Sequence, residues 1–243
     1  MALICTAAIG WTFAMVFWSS FKRRRTWKVP WERSTSLIVW MMGVSAVGFA
    51  PTIGFPGLPI GCEAKSPGAF LGAIAALGAA VGVTWVIAHR AHVDPRQTLL
   101  HHVYIPTGLA VTALTALFVG FRLYDNQALD YFQAPLSLPA QLWWITFDII
   151  GIWILGYTAW TLNILLEDAQ HRPTGRTYIF SCIAGILTCS VGILTVTTGS
   201  RFTAYAITPM FAIWIALFAL GAAQSWERKA DRLYPHPLAK GTH

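Results

Sequence analysis

Between two long apolar runs stands Lys22-Arg23-Arg24-Arg25, with Lys28 and Arg33 close behind. Ammonium and guanidinium groups resist crossing hydrocarbon, so a dense basic turn between two spanning segments stays on the cytoplasmic side and orients the later spans. This turn predicts an N-terminus outside and a second span running back outward.

Only 11% of the residues are charged, 56% are hydrophobic, and mean hydropathy is +0.55. Soluble domains carry about 25% charged residues, so the composition points to a multispan membrane protein. A net charge of +7 raises the question of nucleic acid. That function needs a basic face with base-reading or stacking groups on a soluble fold, and here the charge sits between apolar spans, which excludes it.

Crossing the hydrocarbon takes about 20 mainly apolar residues. Seven segments qualify, at 2–20, 35–55, 68–88, 103–121, 141–165, 177–198 and 204–224. The expected fold is therefore an all-α integral membrane protein of seven transmembrane helices in the cell membrane. A seven-helix domain over 1–226 is followed by a short basic cytoplasmic tail, 227–243. With the first basic turn inside, fourteen of the seventeen Lys and Arg residues fall on the cytoplasmic side, leaving Lys65, Arg122 and Arg201 outside. Every cytoplasmic loop carries the same sign, so the orientation does not hang on one turn.

The apolar run after Met1 lacks a basic leader and a small-residue cleavage site, which predicts an uncleaved first span. Neither a prenylation box nor a myristoylation signal is seen. Four cysteines are too few for a disulfide framework and match no zinc or redox spacing. Cys182 and Cys189 lie two turns apart on one span and cannot bridge, whereas Cys5 and Cys62 both fall near the predicted outer face, where a disulfide is chemically allowed or two unlinked thiols sit.

Trp11, Trp18, Trp27, Trp31, Trp40, Trp85, Trp143, Trp144 and Trp226 fall mostly near span ends, where an indole buries its ring and bonds at the headgroups. The segment 121–135 mixes acids with aromatics and is expected to lie along the interface or cap an external opening. Gly68, Gly72, Gly78 and Gly82 give the third span small-residue steps suited to close helix packing. The sixth span has the same character and ends in Thr195, Thr197, Thr198, Ser200 and Arg201, either packing residues bonded to their own helix or the lining of a polar entrance. Pro209 predicts a kink in the seventh span. Two triplets of like orientation around a single fourth span permit a three-plus-one-plus-three repeat.

Asp148 is the only acidic side chain well inside a predicted span. A carboxylate there is costly unless protonated, paired or wetted, which makes Asp148 the default functional candidate, with Arg201, Arg122, Thr146 and Thr195 as expected partners. The candidate intramembrane polar site is thus Asp148, Thr195, Thr198 and Arg201, against a purely structural hydrogen bond. Lys22, Arg23, Arg24, Arg25 and Lys28 form the topology anchor and contact lipid headgroups.

His89, His92, His101 and His102 flank one cytoplasmic-side loop. None is placed mid-membrane as a haem ligand is, and with no cysteine near them they read as headgroup contacts more readily than as a metal site. No metal and no cofactor is expected. A retinal protein needs a lysine in the seventh span for its Schiff base, and 204–224 has none. No zinc-protease helix, phosphate loop or nucleophile elbow is present, so no catalytic residue is assigned.

Trp18-Ser-Ser-Phe-Lys-Arg-Arg-Arg at the end of the first span, Tyr131-Phe, and a proline before a tyrosine- and tryptophan-rich fifth span resemble an actinobacterial group of seven-span proteins catalogued as transporters. The likeness covers about residues 1–224. It implies transport but no catalytic residue, and this sequence lacks the soluble cytoplasmic domain usual in the group. Two functions are compatible with these features. One is a non-enzymatic subunit or receptor-like module working with protein partners in the membrane or at its cytoplasmic face; the other is a small-molecule or ion transporter using Asp148.

Overall fold

The structure, a computed structural model, describes residues 2–24, 30–49, 65–90, 99–124, 128–130, 136–167 and 172–233. Among them all regular structure is helical: α1 (Ala2–Lys22), α2 (Pro30–Phe49), α3 (Lys65–Arg90), α4 (Ile105–Gly120), α5 (Leu138–Leu166), α6 (Arg172–Thr198) and α7 (Arg201–Leu233). Five segments, Ser66–His89, Leu100–Gly120, Leu138–Ile164, Arg172–Thr198 and Arg201–Glu227, are long and apolar enough to cross a membrane. Helices satisfy their own backbone groups, which is what hydrocarbon demands of a spanning segment. The chain is an all-α, multi-pass membrane protein. Helices α1 and α2 are not among the five; the first two turns of α2 carry Glu32, Arg33, Ser34, Thr35 and Ser36.

Each expected span lies within a helix as far as it is described, though residues 50–55 fall outside the described residues. Several helices outrun the apolar windows. Helix α7 continues through 226 to Leu233, so the boundary expected at 226 is no break in the chain's course.

Helices α1, α2, α3, α5, α6 and α7 close into a ring, each packed on its ring neighbours, while α4 stands outside and leans mainly on α5. This leaves two blocks of three consecutive helices around an outlying fourth. The blocks are unequal, because α6 packs along both α5 and α7 whereas α1 packs chiefly on α7 and only lightly on α2.

The tightest crossing joins α2 to α3. A Cβ on Gly48 would come 2.6 Å from the Gly68 carbonyl and 2.7 Å from the Gly72 backbone, so these helices touch main chain to main chain. The small-residue steps read from the third span face α2: Gly78 lies against Met41 and Gly82 against Ile38.

Helix α4 opens with a π-helical turn, Leu100–Tyr104, and the cause is local. Pro106 has no N–H to give the carbonyl four residues back, and its ring crowds that carbonyl. The wider turn relieves the crowding, and Trp153 Nε1 donates to the freed His102 oxygen at 2.7 Å, pinning α4 to α5. Thr107, Thr112 and Thr115 donate to carbonyls of their own chain one turn back, which suits a helix with so little protein around it.

At the end where α3 begins, Leu129 is fully buried. Its N–H donates to Ser66 Oγ (3.2 Å) and its carbonyl accepts Trp144 Nε1 (3.2 Å). This part of 121–135 therefore caps the bundle. Residues 125–127 and 131–135 lie outside the described residues. Trp143 and Trp144 correct the reading of tryptophans as headgroup anchors. Both are buried, and Trp143 Nε1 donates to Leu114 O at 3.1 Å. Trp226 is buried as well, whereas Trp11, Trp18, Trp40 and Trp85 face outward.

Candidate functional site

Asp148 lies ten residues into α5, about 15 Å along a helix of 1.5 Å rise per residue, and is only 3% exposed. The neighbouring helix α6 makes room for it by omitting a side chain. A Cβ on Gly192 would fall 2.9 Å from Asp148 Cγ and would meet Oδ2 closer still. One turn along, the arrangement is reversed: Cys189 of α6 lies over Gly151 of α5, with Sγ 3.0 Å from a notional Cβ. Each larger side chain thus faces a glycine on the other helix, and the Cys189 thiol donates a hydrogen bond to the Asp148 carboxylate.

The carboxylate oxygen Oδ2 is buried with no hydrogen-bond partner among the described residues. Such an atom is costly to leave bare. Asp148 forms part of the wall of a cavity of about 30 Å³ between α2, α5, α6 and α7. A water needs roughly 10–15 Å³, so the space holds about two or three atoms the size of oxygen. Phe49, Trp144, Phe147, Phe211 and Trp214 supply most of the remaining wall, and Phe49 packs at 5.6–5.8 Å from the rings of Trp144, Phe147 and Phe211. Thr188 adds a hydroxyl that donates to Ala184 O at 2.8 Å and keeps its lone pairs. Pro209 lies in α7 between two lining residues, Ile207 and Phe211, at the level where a helix lacking one donor bends most readily.

The other members of the expected polar site are not gathered around Asp148. Thr195 is buried, but its hydroxyl donates to Val191 O at 2.8 Å. Thr198 donates to Leu194 O at 2.7 Å and accepts the Ser200 N–H at 3.3 Å, closing the turn in which Gly199 takes φ 65°. Arg201 opens α7 and is exposed, six residues or about 9 Å along the helix before Ile207, the first α7 residue in the cavity wall. Thr146 donates to Leu142 O, and Arg122 is exposed. Among the described residues, the partner of Asp148 is Cys189, which in the sequence is legible only as one small apolar residue among many.

The basic turn is divided. Arg23, 1% exposed, corrects the expectation that this residue meets headgroups. Its guanidinium donates to Glu32 Oε2 (3.0 Å), Glu32 O (3.1 Å), Ser36 Oγ (3.2 Å) and Ala222 O (2.7 Å), tying α1 to α2 and α7. Glu32, equally buried, also accepts from Lys229 of α7. Lys22 and Glu227 pair at 2.8 Å on the exposed rim. Arg24 lies over the Phe21 ring at 4.7 Å, and its side chain is exposed. Arg25 and Lys28 are outside the described residues. Lys229 does fall within the last helix, beyond the window 204–224, but near its end and bound to Glu32.

His89 stacks on Trp85 (5.6 Å) and His102 on Tyr157 (5.5 Å), and no group of three metal-ligating side chains occurs among the described residues. His92, Cys62 and the Cys5 side chain lie outside them, and so therefore do the complete histidine cluster and the Cys5–Cys62 pair. Cys182 and Cys189 are buried free thiols.

No family model matches the chain, and no curated protein or solved structure matches it either.

Proposed function

We propose that the chain is a seven-span protein of the cell membrane, N-terminus outside and C-terminus in the cytoplasm, that transports a small cation or a proton by way of Asp148. One observation carries this reading: a buried carboxylate oxygen without a partner among the described residues, in the wall of a cavity about a third of the way along α5. Ionisable groups in the membrane are expensive, and those retained there mark pathways and relays. The adjoining Pro209 gives α7 a place to flex as the site changes state. The layout likeness to the actinobacterial seven-span transporters belongs to this proposal and points the same way. In liposomes loaded with a pH-sensitive dye, the purified chain should carry a gradient-driven flux that Asp148→Asn abolishes with expression unchanged. A flux indifferent to that substitution removes Asp148 from the mechanism. Single cysteines near the N-terminus and at Lys240, labelled from one side of intact cells, test the orientation.

The second reading, a non-enzymatic subunit or receptor-like module with protein partners in the membrane, draws on α4. That helix stands outside the ring with Gly108, Thr112, Ala116 and Gly120 uncovered at four-residue spacing, a pattern that lets another helix approach closely. Mild-detergent extraction should then recover a complex that Gly108→Leu or Ala116→Leu disperses. A clean wild-type monomer ends that reading.

A further inference from the structure

We propose that the cavity beside Asp148 binds a small primary ammonium cation, ammonium or methylammonium, held by the carboxylate and by the surrounding aromatic side chains. The inference rests on the reading of Asp148 as the working centre and names the class of solute it takes.

The wall decides the sign of the charge. Among the described residues its one ionisable carboxyl is an acid with a buried, unpartnered oxygen, and no described lysine, arginine or histidine lines the space. An anion would find only two hydroxyl- or thiol-type donors, both already engaged: Thr188 to Ala184 O and Cys189 to Asp148. A sugar or other polyol needs several convergent polar groups, and half of the lining residues are Phe or Trp.

The same wall separates one cation from another. Sodium, magnesium and calcium are hard ions that demand several oxygens, and this site offers the Asp148 carboxylate and the Thr188 hydroxyl. An alkylammonium ion asks for less. Its N–H groups can be met by Asp148 Oδ2 and the free lone pairs of Thr188, and its positive charge is attracted to the faces of Phe, Tyr and Trp rings. Phe49, Trp144, Phe147, Phe211 and Trp214 surround the carboxylate, the composition that recognises ammonium groups elsewhere in protein chemistry. Size agrees. A space of about 30 Å³ has room for roughly two or three heavy atoms, which accommodates ammonium or methylammonium.

Two of the lining residues are tryptophans, so binding can be read without a label. The purified full-length chain in detergent is titrated with methylammonium chloride, and in parallel with sodium chloride at equal ionic strength, while intrinsic fluorescence is followed. A saturable change with methylammonium, competed by ammonium and absent with sodium, is expected. Asp148→Asn, nearly isosteric, should weaken binding at least tenfold, and Asp148→Glu should weaken it less. Phe211→Leu removes a ring while leaving the wall apolar, and should weaken binding roughly two- to thirty-fold; Phe211→Tyr should not. A melting curve on each variant separates lost binding from lost fold, and Phe49→Leu serves if Phe211→Leu is unstable. Identical responses to methylammonium and sodium, or wild-type binding in Asp148→Asn, overturn the proposal. If Asp148-dependent proton flux persists in liposomes while methylammonium fails to bind, the ammonium assignment falls and the transport reading stands; if Asp148→Asn alters neither, both fall.

Discussion

Asp148 of α5 stands directly over Gly192 of α6, where a β-carbon would lie 2.9 Å from its Cγ. Glycine is required there by space: the carboxylate occupies the volume that any other residue's side chain would fill. Gly192→Ala should therefore push the Asp148 side chain off its position. Overpacking of this kind costs about 1–3 kcal/mol, seen as a lower melting temperature in detergent, and the Asp148-dependent flux should drop with it. Gly151→Ala meets only the Cys189 sulfur, at 3.0 Å, a milder approach than the one at Gly192. Its effect should be the smaller of the two. A Gly192→Ala protein with wild-type stability and flux would mean that the carboxylate is not held against α6 at this point.

The second prediction concerns Arg23 and Glu32. Both are 1% exposed, so removing Glu32 strands the Arg23 guanidinium in a poor solvent, a loss of about 3–5 kcal/mol for a buried pair, while removing Arg23 leaves Glu32 with Lys229 alone and strips four hydrogen bonds from the seam. Arg23→Met and Glu32→Leu should each lower thermal stability severely. The double variant should recover part of the loss, since two apolar side chains leave no stranded ion. Lys229 is different. Its side chain is 35% exposed and water can take over its solvation, so Lys229→Ala should cost less than either. Lys22–Glu227 is more exposed still, and breaking it should change little, by less than about 1 kcal/mol. The double-mutant cycle decides the matter: additive single losses would show that Arg23 and Glu32 do not stabilise the bundle as a pair.

These two sites mark what the sequence could and could not reveal. The helices, five of them long and apolar enough to cross a membrane, were legible because hydropathy is a sum over some twenty residues and needs no tertiary information. Their ends were not, because α5 and α6 begin at Leu138 and Arg172 and α7 runs to Leu233, beyond the apolar windows. Asp148 was legible as the lone acid in an apolar helix. Its neighbours were hidden, since the pairing of Asp148 with Gly192 and of Cys189 with Gly151 depends on the register of α5 against α6. Trp143 and Trp144 could not be told from Trp153 and Trp160, of which the first two are buried and the last two exposed. A membrane helix is apolar on every side, so no polar stripe announces which face turns inward. Arg23 was masked by its neighbours in a run that reads as solvated. The available signal was Glu32, an acid opening an apolar helix within reach of the turn.

The last prediction separates two kinds of glycine along the α2–α3 seam. At Gly48 the obstacle to a side chain is main chain, the Gly68 carbonyl at 2.6 Å and the Gly72 backbone at 2.7 Å, and neither can move without carrying its helix along. At Gly78 the obstacle is the terminal methyl of Met41, the far end of the most adaptable apolar side chain. Gly48→Ala must part α2 from α3, and Gly78→Ala need only swing a methyl group aside. Alanine also favours the helix by up to about 1 kcal/mol over glycine, which offsets the small packing loss at 78 and not the large one at 48. The expected order of melting temperatures is wild type close to Gly78→Ala, with Gly48→Ala well below. Phe49 comes directly after Gly48 in the chain and its ring forms part of the wall beside Asp148, so Gly48→Ala should also reduce Asp148-dependent flux while Gly78→Ala leaves it intact. Equal stabilities for the two variants would mean that the close main-chain crossing of α2 and α3 is absent.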